Sequence, residues 1–223
     1  MSKKEKIKLN KVSKWFRTLR RAEPILFRPF FPYKKHGHTE QFTDRAYIFV
    51  GNHLSVLDVV FPAVASKRAV HYMAKKSLFE KGLMKWFVNK CECIPVNRDG
   101  TDVRAVMLAM KYLKAGESVC IFPEGTRNKT DQMFLPFKGG AAAISIKTKA
   151  PIVLMVQIKS KKIRIFRRAH VLYSEPLEFT EYYDKRLSEE DIQKCDEILL
   201  DKMREMYAEL TDILTKKKKV KKQ

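Results

Sequence analysis

The chain has 223 residues, 45% of them apolar and 32% charged, which suits one domain with a sizeable core and excludes wholesale disorder. Its formal charge of +21 falls in blocks. Residues 1–35 carry twelve Lys or Arg against Glu5 and Glu23, Lys159 to Arg168 adds six positives, and Lys216 to Lys222 adds six more. Such blocks attract nucleic acid or an anionic lipid surface, with a merely Lys-rich solvated face as the plain alternative.

Cys91, Cys93, Cys120 and Cys195 form no CxxC pair and no zinc spacing, so reduced packing thiols are expected rather than a disulfide framework. The N-terminus has no apolar h-region, so no cleavable signal is expected. No stretch reaches the ~18 uninterrupted apolar residues of a spanning helix. The most apolar region, Ala46 to Ala65, is broken by Asn52, His53 and Asp58.

In chain order, residues 1–10 are polar and basic. Val12, Trp15, Phe16 and Leu19 then fall at helical spacing between Lys14, Arg17, Arg20 and Arg21, until Pro24 and Pro29 break the pattern. A basic helix with aromatic residues on its other face suits a membrane interface. Packing of that stripe on the chain's own domain is the alternative. Tyr47–Val50 ends at Gly51 and predicts a buried strand, with a helix from about Ser55. Strands are predicted at Val70–Ala74, Cys93–Val96, Ser118–Phe122, Ile152–Ile158 and Ile163–Leu172. Helices are predicted at Thr101–Lys114 and Gly139–Lys147. A last helix opens at Ser188 with Glu189, Glu190 and Asp191 in its first turn and closes on lysines, matching the helix dipole. Alternating strands and helices predict an α/β domain with a mostly parallel central sheet flanked by helices. The expected division is an interfacial segment over 1–35, the folded domain over 36–215, and a disordered Lys-rich tail over 216–223.

Two strings carry chemistry. Asn52-His53-Leu54-Ser55-Val56-Leu57-Asp58 places an imidazole five residues before a carboxylate. Within regular helix the two would lie about 140° apart, so they meet only if His53 occupies the turn before the helix. Asp58 could then fix the tautomer and leave the other ring nitrogen basic, an arrangement of base and orienting acid without a protein nucleophile. Alone, such a spacing is commonly coincidence. His36, His38, His71 and His170 have no such partner in the sequence and are expected to be surface or structural. Phe122-Pro123-Glu124-Gly125-Thr126-Arg127 ends a strand at what should be the same sheet edge. Gly125 allows a tight turn, Thr126 offers a hydroxyl, and Arg127 a fork matched to phosphate oxygens. Glu124 is expected to hold an arginine in place, with Arg98 as the candidate. An ordinary surface turn with a salt bridge is the plain reading of this string.

The Asn52–Asp58 string resembles the HxxxxD block of the glycerolipid acyltransferases, and Phe122–Arg127 resembles their FPEGTR block. Between them Ile94-Pro95-Val96-Asn97-Arg98 is similar to the family's block ending in arginine, and Ala150-Pro151-Ile152-Val153 to its proline-led fourth block. Ala74-Lys75-Lys76-Ser77-Leu78-Phe79 also resembles a family stretch. The resemblance covers about residues 45–175, and the compact length looks like the bacterial 1-acylglycerol-3-phosphate enzymes. Asn97 stands where relatives frequently carry Asp.

The resemblance implies direct acyl transfer from acyl-CoA or acyl carrier protein to lysophosphatidic acid, with glycerol-3-phosphate or another lysolipid as alternative acceptors. His53 and Asp58 would be catalytic. Lys75, Arg98 and Arg127 would hold the phosphate, with Glu124 organising the arginines and Gly125 and Thr126 shaping the loop. No metal or resident cofactor is implied. An anionic membrane surface is the expected partner and the cytoplasmic face of the cell membrane the expected location. Nucleic acid is not an expected partner, because no helix-turn-helix, zinc or RNP-type signature accompanies the charge. On this reading, loss of residues 1–33 should release the chain from anionic vesicles.

Overall fold

Ile48, Phe49 and Val50 alternate to opposite faces of one strand, and all three are fully buried, so both faces of that strand are covered. This strand is the centre of the molecule. The computed structural model describes residues 18, 21–38, 40, 42–97, 102–138, 140–159 and 162–220. Val12, Trp15, Phe16 and Leu19, the apolar stripe of the expected helix, lie outside these.

Seven strands form one sheet: β1 (Tyr33–Gly37), β2 (Ile48–Gly51), β3 (Val70–Lys75), β4 (Ile94–Val96), β5 (Ser118–Ile121), β6 (Ile152–Gln157) and β7 (Ala169–Tyr173), in the order β1-β7-β6-β2-β5-β3-β4. β2 to β6 run parallel. β7 is antiparallel to β6, and β1 is parallel to β7. The sheet is mostly parallel, as expected, with a reversed pair at one edge.

Among the described residues the α-helices include α1 (Val60–Ala65), α2 (Gly82–Lys90), α3 (Val103–Lys114), α4 (Ala141–Thr148) and α5 (Glu189–Val220). Ile48, Val50, Val119, Ile121, Ile152 and Leu154 face a core shared with α3, α4 and α5. Phe49, Cys120, Val153 and Met155 face a second core with α1 and the Phe27–Tyr33 region. α3 starts where the Asp102 carboxylate accepts from Ala105 N–H (3.1 Å) and Asn97 N–H (2.8 Å), and it stops before Gly116 at φ 82°. α5 opens on a reciprocal cap, in which Ser188 N–H donates to Asp191 Oδ2 and Asp191 N–H to Ser188 Oγ. Its buried Cys195, Leu199, Met203, Met206 and Leu210 recur at helical spacing.

Several boundaries differ from expectation. β1 begins at Tyr33, so the folded unit starts inside the segment read as interfacial. Phe27 and Phe31 pack on the second core, which is the alternative reading for that part of the stripe. β7 begins at Ala169 rather than Ile163. Residues 163–168 fold back, Arg167 N–H bonding the Arg164 carbonyl (3.2 Å) and Phe166 sitting at φ 54°. α5 continues through Val220, so the first lysines of the expected disordered tail are helical backbone. The four side histidines do have partners. His71 bridges the Glu92 carbonyl (3.0 Å) and Glu117 Oε2 (2.6 Å) while stacked on Tyr112. His36 meets His170 at 2.9 Å, and His38 meets Glu175 at 2.9 Å.

α4 has no side-chain cap of its own at Gly140. Asp196 of α5 is partly buried, with Oδ1 unpartnered among the described residues, and burial pushes its carboxyl up from 3.8 to about 6, an effect that the nearby Ala142 backbone opposes. The native state therefore holds the proton more tightly than the unfolded chain. This contribution to stability is complete below about pH 4 and lost as pH rises through about 6. Asp196→Asn keeps the shape of the side chain without the charge. Its Tm relative to the parent should rise between about pH 4 and about pH 8; a difference independent of pH would show that the buried charge is not felt.

Candidate active site

β2 and β5 are neighbours in the centre of the sheet, yet the chain leaves them on opposite faces. After β2 it enters α1, over the second core, and after β5 it reaches α4, over the first. A crevice opens between their carboxyl ends, where sites form in such sheets. The register Val50↔Ile121 brings His53 level with Glu124 across it.

Ser55 is extended at φ −146° and caps a short 3-10 turn, Val56–Val59, accepting from Leu57 N–H (3.3 Å). His53 thus precedes the helix, as the spacing required. Asp58, fully enclosed, accepts from Leu54 N–H (2.7 Å), Ser55 N–H (2.7 Å) and His53 Nδ1 (3.0 Å), all through Oδ2. A carboxylate only accepts, so Nδ1 carries the proton and Nε2 is left basic. The imidazole lies flat on Phe122, centroids 4.3 Å apart.

The loop after β5 grips the loop after β2. Glu124 Oε1 accepts from His53 N–H (2.9 Å) and Oε2 from Leu135 N–H (2.9 Å). Asn128 N–H donates to the His53 carbonyl (2.7 Å). Glu124 is expected from the sequence to hold Arg98, which lies outside the described residues. Its two oxygens each accept from a backbone N–H, which adds to that expectation a role in joining the two loops. Burial raises its carboxyl above the ordinary range, and the two N–H bonds oppose the shift. Gly125 turns at φ 65° under Lys138, whose Cδ would lie 3.0 Å from an added Cβ. Thr126 and Arg127 are exposed, and Arg127 immediately precedes the residue bonded to His53. Lys75 ends β3 at the same sheet end, exposed, two strand spacings or about 10 Å from the β2 line. β4 ends at Val96 on that side too, and Arg98 lies outside the described residues.

Sequence reasoning missed Phe122, Asn128 and the Asn52–Gln157 pair. Asn52 Nδ2 donates to the Gln157 carbonyl (2.8 Å) and Gln157 N–H to Asn52 Oδ1 (2.9 Å), locking β2 to β6 just behind His53. A buried asparagine directly after a strand-ending glycine was the available signal. Together these groups form an oriented base beside an exposed arginine and a glycine turn, able to deprotonate a hydroxyl held by an anionic group.

Residues 33–157 match the family model described as Acyltransferase. The 1-acyl-sn-glycerol-3-phosphate acyltransferase of Bacillus subtilis is 36% identical over 111 residues, 49% of this chain and 54% of that protein. The enzyme of the same name from Streptococcus pneumoniae is 28% identical over 155 residues, 67% and 56% of the two chains. The chain thus spans just over half the length of these curated relatives. The crystal structure of the 1-acyl-sn-glycerophosphate (LPA) acyltransferase PlsC from Thermotoga maritima shares the fold, with a TM-score of 0.63 at 23% identity, covering 86% of this chain and 79% of that one. The matched region exceeds half of the chain and contains both loops of the crevice, and the chain belongs to the acyltransferase family.

Proposed function

We propose that the chain transfers an acyl group from a thioester, carried by coenzyme A or acyl carrier protein, to the free hydroxyl of 1-acylglycerol-3-phosphate, giving phosphatidic acid for phospholipid synthesis. The observation that carries this is the His53 Nδ1–Asp58 Oδ2 bond at 3.0 Å beside the Gly125–Arg127 turn. Relatives named as 1-acyl-sn-glycerol-3-phosphate acyltransferases favour this acceptor over glycerol-3-phosphate.

In this reading His53 Nε2 takes the hydroxyl proton as the oxygen attacks the thioester carbonyl. The tetrahedral oxyanion collapses, the C–S bond breaks, and the departing thiolate takes the proton back from the imidazolium. The nucleophile belongs to the substrate, since Ser55 Oγ is engaged as a helix cap. Burial also pushes the Cys93 thiol up to about 12 and the Cys120 thiol well above its ordinary value, which keeps both protonated. A thioester carbonyl is electrophilic and its thiolate leaves readily, so this chemistry needs no resident cofactor. Lys75, Arg98 and Arg127 supply the positive charge that suits the acceptor's phosphate.

An acceptor of this kind lives in a bilayer. No helix among the described residues is long and apolar enough to cross a membrane. The basic N-terminal segment instead supports attachment at the surface, on the cytoplasmic face, where each Lys or Arg near anionic lipid contributes ~1 kcal/mol.

Purified protein offered labelled acyl thioester and a panel of acceptors should acylate lysophosphatidic acid in preference to glycerol-3-phosphate; the reverse preference would move the assignment to the other acceptor. His53→Ala should lower kcat by roughly 10²–10⁴ with little change in Tm, and near-native turnover would remove His53 from the mechanism. Glu124→Gln, which turns an NH₂ toward one of two backbone donors, should lower kcat about tenfold or more while lysolipid binding stays close to the parent's. An unchanged kcat would mean the loop clamp is dispensable. Because Phe27, Phe31 and Tyr33 belong to the second core, the attachment test is best cut before Arg21. Loss of residues 1–20 should weaken sedimentation with anionic vesicles and make what remains less salt-sensitive, and unaltered sedimentation would contradict an anchoring role.

A further inference from the structure

α2 is an anomaly of packing. It contributes to neither core, and of its nine residues only Val88, 3% exposed, is buried. Leu83 is 78% exposed and Trp86 46%, and Met84 and Phe87 are exposed as well. At about 100° per residue these four cover an arc of about 160°. Between residues 75 and 90 five lysines stand against Glu80 alone. A short helix turning Trp, Phe, Leu and Met outward among lysines is neither a core helix nor an ordinary solvated one.

Its place in the fold says what it meets. β3 runs parallel to β2 and β5, so the chain leaves β3 at the end of the sheet that carries His53. The turn Lys76–Phe79 and the first residues of α2 follow there, beside the β4 edge, and α2 then runs back toward the start of β3, where the Glu92 carbonyl meets His71. At the other edge, the connection from β6 to β7 reaches the same end. Phe166 N–H bonds the Phe30 carbonyl (2.6 Å) and the two rings lie 6.0 Å apart. Ile165, Ile25 and Leu26 are exposed nearby in sequence. Arg28, Lys34 and Arg168 help line an adjoining surface cavity of about 970 Å³. The crevice thus lies between two apolar patches, each among positive charges.

The geometry points to α2 as a bilayer-docking element: its Leu83–Phe87 face enters the interface of an anionic membrane and, with the Phe30–Phe166 patch, sets the His53 crevice against the lipid. Tryptophan and phenylalanine favour the headgroup boundary, and lysines favour its negative potential. α2 lies outside the basic N-terminal segment in sequence, and the proposal rests on the reading of the acceptor as a lysolipid.

The chain has two tryptophans, so Trp15→Phe leaves Trp86 as the sole reporter in the full-length protein. On vesicles of phosphatidylglycerol and phosphatidylcholine, Trp86 emission should shift to the blue and be quenched by brominated acyl chains. Adding Leu83→Ser and Phe87→Ser should weaken sedimentation with those vesicles by about tenfold or more, while turnover of a monomeric short-chain lysophosphatidic acid stays within about twofold of the parent's. Unquenched Trp86 on vesicle-bound protein overturns the proposal, and so does undiminished vesicle binding by the serine variant. A lipid-free dimer that buries Trp86, or quenching protection by an acidic carrier protein alone, likewise overturns it in favour of a protein partner. The optical readout needs no turnover, so a quenched protein inactive toward every lysolipid would sink the proposed function and leave this docking surface standing.

Discussion

One oxygen atom organises the crevice. Asp58 Oδ2 accepts from two successive backbone N–H groups and from the ring of His53. The backbone bonds shape the turn at the N-terminus of the helix, and the third bond points the imidazole. Because the same atom serves both purposes, the turn cannot form correctly without presenting the histidine. The five-residue spacing follows from this: fewer residues would leave no room for the cap, and more would move the carboxylate around the helix. Charge-assisted N–H···O bonds of this kind are among the stronger ones a protein makes, and here they are sealed from water.

The second constraint is reciprocal. His53 is held at its N–H by Glu124 and at its carbonyl by Asn128, both from the loop after β5. The two loops flank the crevice from adjacent strands whose crossovers depart on opposite faces. The sheet therefore sets the separation of the loops, and the clamp sets their phase. Arg127 is carried along by this arrangement. Its position next to Asn128 couples the location of the positive charge to that of the base.

Much of this was legible in the sequence where one physical signal dominated. β2, β5 and β6 are short apolar runs, β2 closed by Gly51, and α3 repeats its apolar residues at 3.6-residue spacing. The His53–Asp58 contact could be reasoned out, because only one placement lets the two residues meet. Other features left no such signal. Tyr33-Lys34-Lys35-His36-Gly37 reads as polar text, yet it forms β1, since an edge strand needs no apolar alternation on both faces. The reversal of β7 and β1 was hidden because alternation has a period but no direction. Glu124 invited an ion-pair reading with Arg98, and its bonds to the amides of His53 and Leu135 went unseen, because every non-proline residue possesses such amides and no sequence pattern marks them. α2 escaped notice for a related reason: its apolar residues face away from the core, so they align with nothing else in the chain.

The two outermost strands share a property that matters wherever copies are crowded together. β4 is three residues long and has Pro95 at its middle, which removes one of the few amide donors an incoming strand could use. β1 is five residues long and carries Lys34 and Lys35, whose like charges repel an identical strand from a neighbouring copy. Neither border of the sheet offers a long, neutral template for cross-β extension. Copies gathered at high density should accordingly resist polymerising edge to edge, even when thermal motion bares their margins.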